Sequence, residues 1–216
     1  YNKGLVYQGF KIQPYSPAAG TGLSSHELNQ PGCYKEVKDL TATVQFQSVD
    51  NPKTYFLAWT TTPWTLPANT ALAVGENIDY VEIKTFNPYT FILEKIILAE
   101  STLEKYFDKS KSYSNEDFQN FVAPQDNKIK VDIPFLIEKK FKGKDLVGKK
   151  YQPLFDKLPL VDGEKAFEII LGDYVSTDEG TGIVHIAPTF GVDDMRVAKA
   201  AKICSVMFER SKGQFE

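Results

Sequence analysis

Two stretches of this chain gather side chains that could do chemistry. In Tyr55–Gly75 three threonines stand in a row, Thr60, Thr61 and Thr62; Pro63 and Pro67 bracket Trp64 just after them. In Asp178–Arg196, His185 sits inside the apolar run Ile183–Ile186, and Asp193 and Asp194 open a helical pattern. Hydroxyls held in a stiff loop can orient a water molecule and donate to a developing oxyanion. A histidine titrates near neutrality and could act as a general base. No convincing Ser-His-Asp arrangement accompanies it, and unactivated threonine is a poor nucleophile, so no acyl-enzyme is expected. Each feature also has a plain structural reading. Threonine is common in strands because it is β-branched, a lone strand histidine is usually a satisfied core residue, and an aspartate at a helix start is usually a cap.

The elements that must position these groups are mostly short strands. Tyr55–Trp59 is a compact apolar and aromatic run, and Ala71–Val74 is a second one beyond the proline loop. Thr41–Gln47 alternates, which places Ala42, Val44 and Phe46 on one face of a strand. Tyr80–Lys84, Thr90–Leu93, Ala166–Leu171 and Ile183–Ile186 are further strands, with Asp173–Ser176 continuing after a bend at Gly172. Leu5–Tyr7 and Lys11–Gln13 form a small hairpin around Gly9. Apolar spacing in Glu94–Phe107 predicts one or two short helices, and Asp193 or Asp194 caps a late helix over Met195–Ile203. The fold class is mainly β with short helices, a β-barrel with helical decorations and no internal repeat.

Composition narrows the function. The chain has 216 residues, enough for one domain with flanking arms, and 15 Phe with 11 Tyr can fill a core. Its 14 Gly and 12 Pro favour many turns over a helical bundle. A net charge of -3 argues against a broadly basic nucleic-acid surface. The lysines of Gln125–Lys150 read as a solvated face, with a phosphate-facing patch as the alternative. Cys33 and Cys204 offer neither a disulfide framework nor paired metal-ligand spacing, so no metal is expected and a reducing, cytoplasmic setting is. No membrane-length apolar stretch is present.

Trp59-Thr-Thr-Thr-Pro-Trp-Thr-Leu-Pro-Ala-Asn-Thr70 and Gly180-Thr-Gly-Ile-Val-His-Ile-Ala-Pro-Thr-Phe-Gly-Val-Asp-Asp194 together resemble the editing domain inserted into isoleucyl-tRNA synthetase. Thr62-Pro63-Trp64 is the isoleucyl form, where valyl and leucyl relatives carry Thr-Thr-Arg-Pro. The resemblance covers nearly the whole chain and implies a closed β-barrel editing domain. Residues 1–30 would be an incoming arm, 31–204 the barrel and 205–216 an outgoing arm or fragment end. The first residue, Tyr1, and the lack of His-Ile-Gly-His and Lys-Met-Ser-Lys-Ser segments suggest an excised insert without ligase chemistry.

By resemblance, the domain hydrolyses valine from mischarged isoleucine tRNA, with valyl-adenylate as a second substrate. Its partners are then the tRNA 3′ end and the parent synthetase's catalytic domain; it needs water as nucleophile, no cofactor and no membrane. The physical need is clear: an apolar pocket distinguishes one methylene by only about 1–3 kcal/mol, for which isoleucine against valine in this synthetase is the standing illustration. The resemblance assigns the α-ammonium to Asp194, nine residues after His185. His185 would line the pocket near the substrate side chain and ribose. Thr62 would serve the reacting centre, Thr61 the terminal adenosine or the backbone, and Thr60 the same hydroxyl cluster. Trp64 is a pocket wall or a core packer, and Asn69 braces the loop. Thr189-Phe190 stand where the commoner bacterial form has Gly-His, which makes that loop stiffer and more apolar. The competing expectations are a tRNA 3′-end recognition module active only within the full synthetase, and a free-standing deacylase.

Overall fold

Nearly every apolar run in the chain is spent on one curled sheet. The computed structural model describes residues 3, 5–6, 11–108, 113–122, 132–155, 160, 165–206, 210–211 and 214–215. A small hairpin, β1 (Tyr15–Ser16) and β2 (Thr21–Gly22), and one helical turn, α1 (Ser25–Leu28), come first. The sheet strands follow: β3 (Ala42–Gln47), β4 (Thr54–Thr60), β5 (Ala71–Val74), β6 (Asp79–Phe86) and β7 (Leu93–Ala99). After α2 (Asn115–Asn120) come β8 (Phe135–Lys142), β9 (Glu168–Leu171) and β10 (Ile183–Ile186). Helix α3 (Val192–Ala201) and a short pair, β11 (Arg210–Ser211) and β12 (Gln214–Phe215), close the chain.

The strand order is β8-β6-β7-β4-β10-β5-β9, with β3 added along β4. β4 is the branch point. β3 runs antiparallel along one edge of it, while β7 takes the first half of the other edge and β10 meets its end at Trp59. Successive residues of these strands point to opposite faces, which sorts them into separate cores. Phe46, Phe56, Leu72, Ile97 and Ile183 pack inside the curl with Tyr80 and Tyr151. Leu57, Ile83, Ile96 and Leu98 form a second core on the opposite face. Ala71, Ala73, Ile170 and Ile186 receive Val197 and Ala198 of α3.

The closed barrel expected from the sequence is not what forms. The ladder ends on β8 and on β9, so the sheet is an open, curled half-barrel. Two isolated bridges, Ser48–Tyr151 and Lys150–Glu168, step between the end of β3 and β9 without building a strand. The Gln152 N–H still donates to the Gln47 carbonyl, and Pro153 after it has no N–H with which to extend the pairing.

Other expectations also shift. Glu94–Phe107 is not simply helical: Leu93–Ala99 is strand β7 and only Glu100–Lys105 coils, as a 3-10 turn. Ile96, Ile97, Leu98 and Ala99 are all buried because both faces of β7 meet core, so helix-like spacing had no meaning there. Thr90 to Ile92 is turn and irregular chain, and Asp173–Ser176 bends instead of extending a strand. Lys11–Gln13 forms no strand; Tyr7 and Gly9 of that expected hairpin lie outside the described residues. The lysine-rich segment contributes β8, whose Lys139, Lys140 and Lys142 pair with Glu82, Glu100 and Asp79. That agrees with a solvated, ion-paired face; Lys128 and Lys130 lie outside the described residues. Among the described residues no helix is long and apolar enough to cross a membrane.

The Tyr80 hydroxyl ties three parts of the curl together. It accepts from the Gly75 N–H at 3.1 Å, just past β5, and donates to the Gly182 carbonyl at 2.6 Å, just before β10. Burial pushes its pKa up to about 12, so it stays a donor at any physiological pH. Tyr80→Phe orphans a buried N–H and a buried C=O, and should cost about 1–3 kcal/mol. Urea unfolding of the two proteins, with unchanged m-value, measures this.

Candidate functional site

The two stretches with chemical potential meet at one end of the curl. Strand β4 carries Trp59 and Thr60 to this end and stops. The Thr62 N–H donates to Thr60 Oγ1 at 3.0 Å, which turns the chain out of the strand. Pro63, with its φ already set, then starts the 3-10 turn Pro63–Ala68. The Thr65 hydroxyl donates to the Thr62 carbonyl at 2.8 Å, and Thr62 Oγ1 lies 3.3 Å from both Thr60 Oγ1 and Thr65 Oγ1. Asn69 locks the far side: its Nδ2 donates to the Ala71 carbonyl, and its Oδ1 accepts from the buried Tyr151 hydroxyl at 2.6 Å.

His185 reaches the same place from β10, opposite Leu72 of β5. Its Nε2 lies 3.0 Å from Thr65 Oγ1. With the Thr65 proton committed to the Thr62 carbonyl, we assign the hydrogen to Nε2, which then donates to Thr65. Nδ1 is left buried and without a partner, as befits a neutral ring. Burial lowers the His185 pKa from the usual 6.5 to about 4. The imidazole is therefore uncharged at neutral pH, a weak base, and fixed by one hydrogen bond.

Asp194 approaches from the first turn of α3. The expected aspartate cap is absent: the helix starts at Val192 with Gly191 as its N-cap, and no side chain caps it. Asp194 instead turns back, its Oδ2 accepting from the Ala187 N–H at 2.9 Å and its Oδ1 from the Tyr174 hydroxyl at 3.0 Å. Burial raises its pKa; the Ala187 N–H and the Tyr174 hydroxyl pull it back. A Cβ on Gly191 would come within 2.8 Å of the Asp194 carboxyl carbon, so glycine gives this carboxylate its room. Asp193 is exposed and faces away, held at 3.2 Å by Arg196, which also grips Asp173 with both terminal nitrogens.

These groups enclose a cavity of about 380 Å³, lined by Thr60, Thr61, Thr62 and Thr65 together with His185 and Asp194. Trp64 lines it too, yet is 62% exposed. It is a wall or rim residue and not a core packer. Phe190, half-exposed, lines it as well. Thr60 is buried and Thr61 exposed, the alternation that an extended chain imposes. Behind them Trp59 packs on Gly180, where a Cβ would sit 2.8 Å from the indole and φ is +66°. All six residues singled out from the sequence, Thr60, Thr61, Thr62, Trp64, His185 and Asp194, thus line one cavity. Thr65 and Tyr174 were missed. Thr65 had a signal, since it lies three residues after Thr62 and a 3-10 turn stacks such pairs. Tyr174 had none, because only the bend after β9 brings it to Asp194.

No family model matches the chain. Full sequences do. It is 57% identical over 99% of its length to the isoleucine–tRNA ligase of Cytophaga hutchinsonii, and 40% identical over 94% to that of Tetrahymena thermophila. The chain thus matches one segment of isoleucine–tRNA ligases along nearly its whole length. It spans 19% of the length of the Cytophaga relative and 16% of the Tetrahymena one. The fold is shared with the P. knowlesi cytosolic leucyl-tRNA synthetase editing domain: TM-score 0.52, 18% identity, 75% of this chain and 64% of that one. The threonine turn, the neutral histidine and the back-turned aspartate therefore sit in a chain that is similar to a segment of isoleucine–tRNA ligases and shares the fold of an editing domain.

The depressed His185 pKa has a signed consequence for stability. The native state favours the neutral ring, so this contribution is complete above pH 6.5, the unfolded value. It is lost as the pH falls from 6.5 through about 4, where the unfolded chain binds the proton first. The loss should be on the order of 3 kcal/mol. His185→Gln, measured by urea unfolding from pH 7.5 to 4, should flatten that part of the profile relative to the parent chain.

Proposed function

We propose that this segment hydrolyses the ester of a mischarged tRNA, removing valine from isoleucine tRNA at its 3′ end. The observation that carries this reading is the convergence, in one cavity, of a hydroxyl cluster with a carboxylate that its own fold keeps turned inward. An aminoacyl ester must present a free α-ammonium, and a carboxylate is its natural partner. Asp194 keeps lone pairs open beyond those used by Ala187 and Tyr174, and its partial burial strengthens any ion pair formed there.

With the ammonium on Asp194, the ester carbonyl is directed toward the threonines that line the same cavity. Thr62 orients the attacking water and donates to the tetrahedral oxyanion, and the vicinal ribose hydroxyl of the tRNA assists. Thr60 holds Thr62 in place through its hydroxyl and the Thr62 N–H. Thr61 lies at the exposed edge, suited to the terminal adenosine. His185 acts as a wall and an anchor for Thr65. A ring kept neutral by burial, with a pKa of about 4, is a poor proton carrier at pH 7. It sets how much side chain the cavity accepts, admitting valine and refusing the extra methylene of isoleucine. Valyl-adenylate presents the same ammonium and acyl carbon and is the second substrate. The setting is cytoplasmic, with the parent synthetase delivering the tRNA end.

The exposed rim formed by Trp64 and Phe190 favours a second reading. On this reading the segment recognises the unstacked tRNA end and acts only within the longer synthetase. Deacylation by the 216-residue chain and by a full-length isoleucine–tRNA ligase, assayed side by side, separates the two. Robust turnover by the chain alone rejects strict dependence.

The chain should deacylate valyl-tRNA for isoleucine faster than isoleucyl-tRNA, and equal rates would sink the specificity. Asp194→Ala should lower kcat/KM by about 10- to 100-fold, the loss of one charge-assisted contact. Tyr174→Phe, which removes one support of that carboxylate, should cost only a few-fold. Unchanged kinetics for Asp194→Ala would overturn the ammonium assignment.

A further inference from the structure

A second cavity, of about 560 Å³, opens over β3, β4, β6 and β7 on the face of the sheet away from the inner core. Its polar feature is Glu94 of β7, only 6% exposed. Gln45 Nε2 donates to Glu94 Oε1 at 2.7 Å, and Asn87 Nδ2 donates to Oε2 at 3.2 Å. The Asn87 amide is oriented with its nitrogen toward Glu94, because its Oδ1 accepts from the N–H groups of Tyr89 and Thr90. Two donors aimed at one carboxyl are the arrangement an anion accepts. Burial nevertheless pushes this carboxyl up, against the pull of those amides.

What the site lacks among the described residues is a cation. The groups facing Glu94 are Gln45, Asn87, Thr85 and, across the cavity, Tyr106 and Thr43. Lys95 is next in sequence but points to the other face, paired there with Glu82 and Glu138. The Thr85 hydroxyl is committed to the Pro134 carbonyl. A buried carboxylate held by amides alone leaves lone pairs open at a high desolvation cost. Tyr106 and Tyr89 line the cavity, the latter 79% exposed, with Phe86 stacked on Phe118 and Phe121. A carboxylate floor under aromatic walls is the environment that binds organic cations.

We propose that this cavity is a binding site for an alkylammonium or guanidinium group, whose N–H donors pair with Glu94 while its alkyl stem lies against the aromatic wall. The occupant is either a free organic cation or a lysine or arginine side chain from the remainder of an isoleucine–tRNA ligase, of which this chain spans 19% in the Cytophaga relative. The site is separate from the threonine, His185 and Asp194 cavity and does not depend on its chemistry.

Titration of the 216-residue chain with N-propylguanidinium and n-butylammonium, followed by methyl NMR of Leu57 and Ile96, tests this. Saturable millimolar binding is expected, with neutral N-propylurea much weaker. Glu94→Gln keeps shape and amide contacts but should weaken binding by about 10-fold or more. Tyr89→Ala, on an exposed turn that does not carry the core, should weaken it several-fold, and Asp194→Ala should leave it unchanged. Absence of saturation, equal binding of the urea, or equal binding by Glu94→Gln would each overturn the proposal. The same titration of a full-length isoleucine–tRNA ligase distinguishes the sources. Binding to both proteins identifies a free cation, and binding to the chain alone identifies a side chain of the longer enzyme that already fills the site.

Discussion

The candidate site depends on one strand insertion. β10 enters between β4 and β5, pairing parallel to Trp59 of one and antiparallel along all four residues of the other. That placement brings His185 within 3.0 Å of Thr65, across 120 positions of sequence. Without it the threonine turn would be a loop beside a sheet edge, and Asp194 would have no opposing wall. The surrounding packing serves the same insertion. Tyr80 ties the entry to β10 to the exit of β5, and α3 packs its Val197 and Ala198 against the outer side of both.

Electrostatically the site is built from groups kept in one state. His185 is neutral because burial disfavours the charged ring. Asp194 is supported as an anion by an N–H and a hydroxyl, both supplied by residues outside its own helix. Its neighbour Asp193 is drawn outward by Arg196. Two adjacent aspartates thus acquire different roles from their partners alone. The same logic distinguishes Glu82, which lies among lysines, from Glu94, which lies among amides and aromatic rings.

Much of the fold was legible where the local pattern admits one period. Ala71–Val74 and Ile183–Ile186 are strands at the residues expected, and Tyr55–Trp59 extends by one residue at each end. Glu94–Phe107 failed because a strand buried on both faces carries no alternation to read. The helix start failed because Asp194 has stronger partners in Ala187 and Tyr174 than in its own first turn. The closed barrel failed between the end of β3 and β9, where single bridges replace a ladder.

The sequence by itself determined which side chains could do chemistry: a run of threonines stiffened by prolines, a histidine in a short strand and an aspartate in a helix's first turn. It also carried the family, because two long motifs keep their order and spacing. Only the tertiary structure decided that these groups share a cavity, that Trp64 stands on its rim, and that Asp194 turns back to Ala187 and Tyr174 while Asp193 goes out to Arg196. It alone supplied Tyr174, and it alone made the histidine neutral. The physical reason is that charge state and side-chain direction depend on burial and on partners far away along the chain, and no local pattern encodes either.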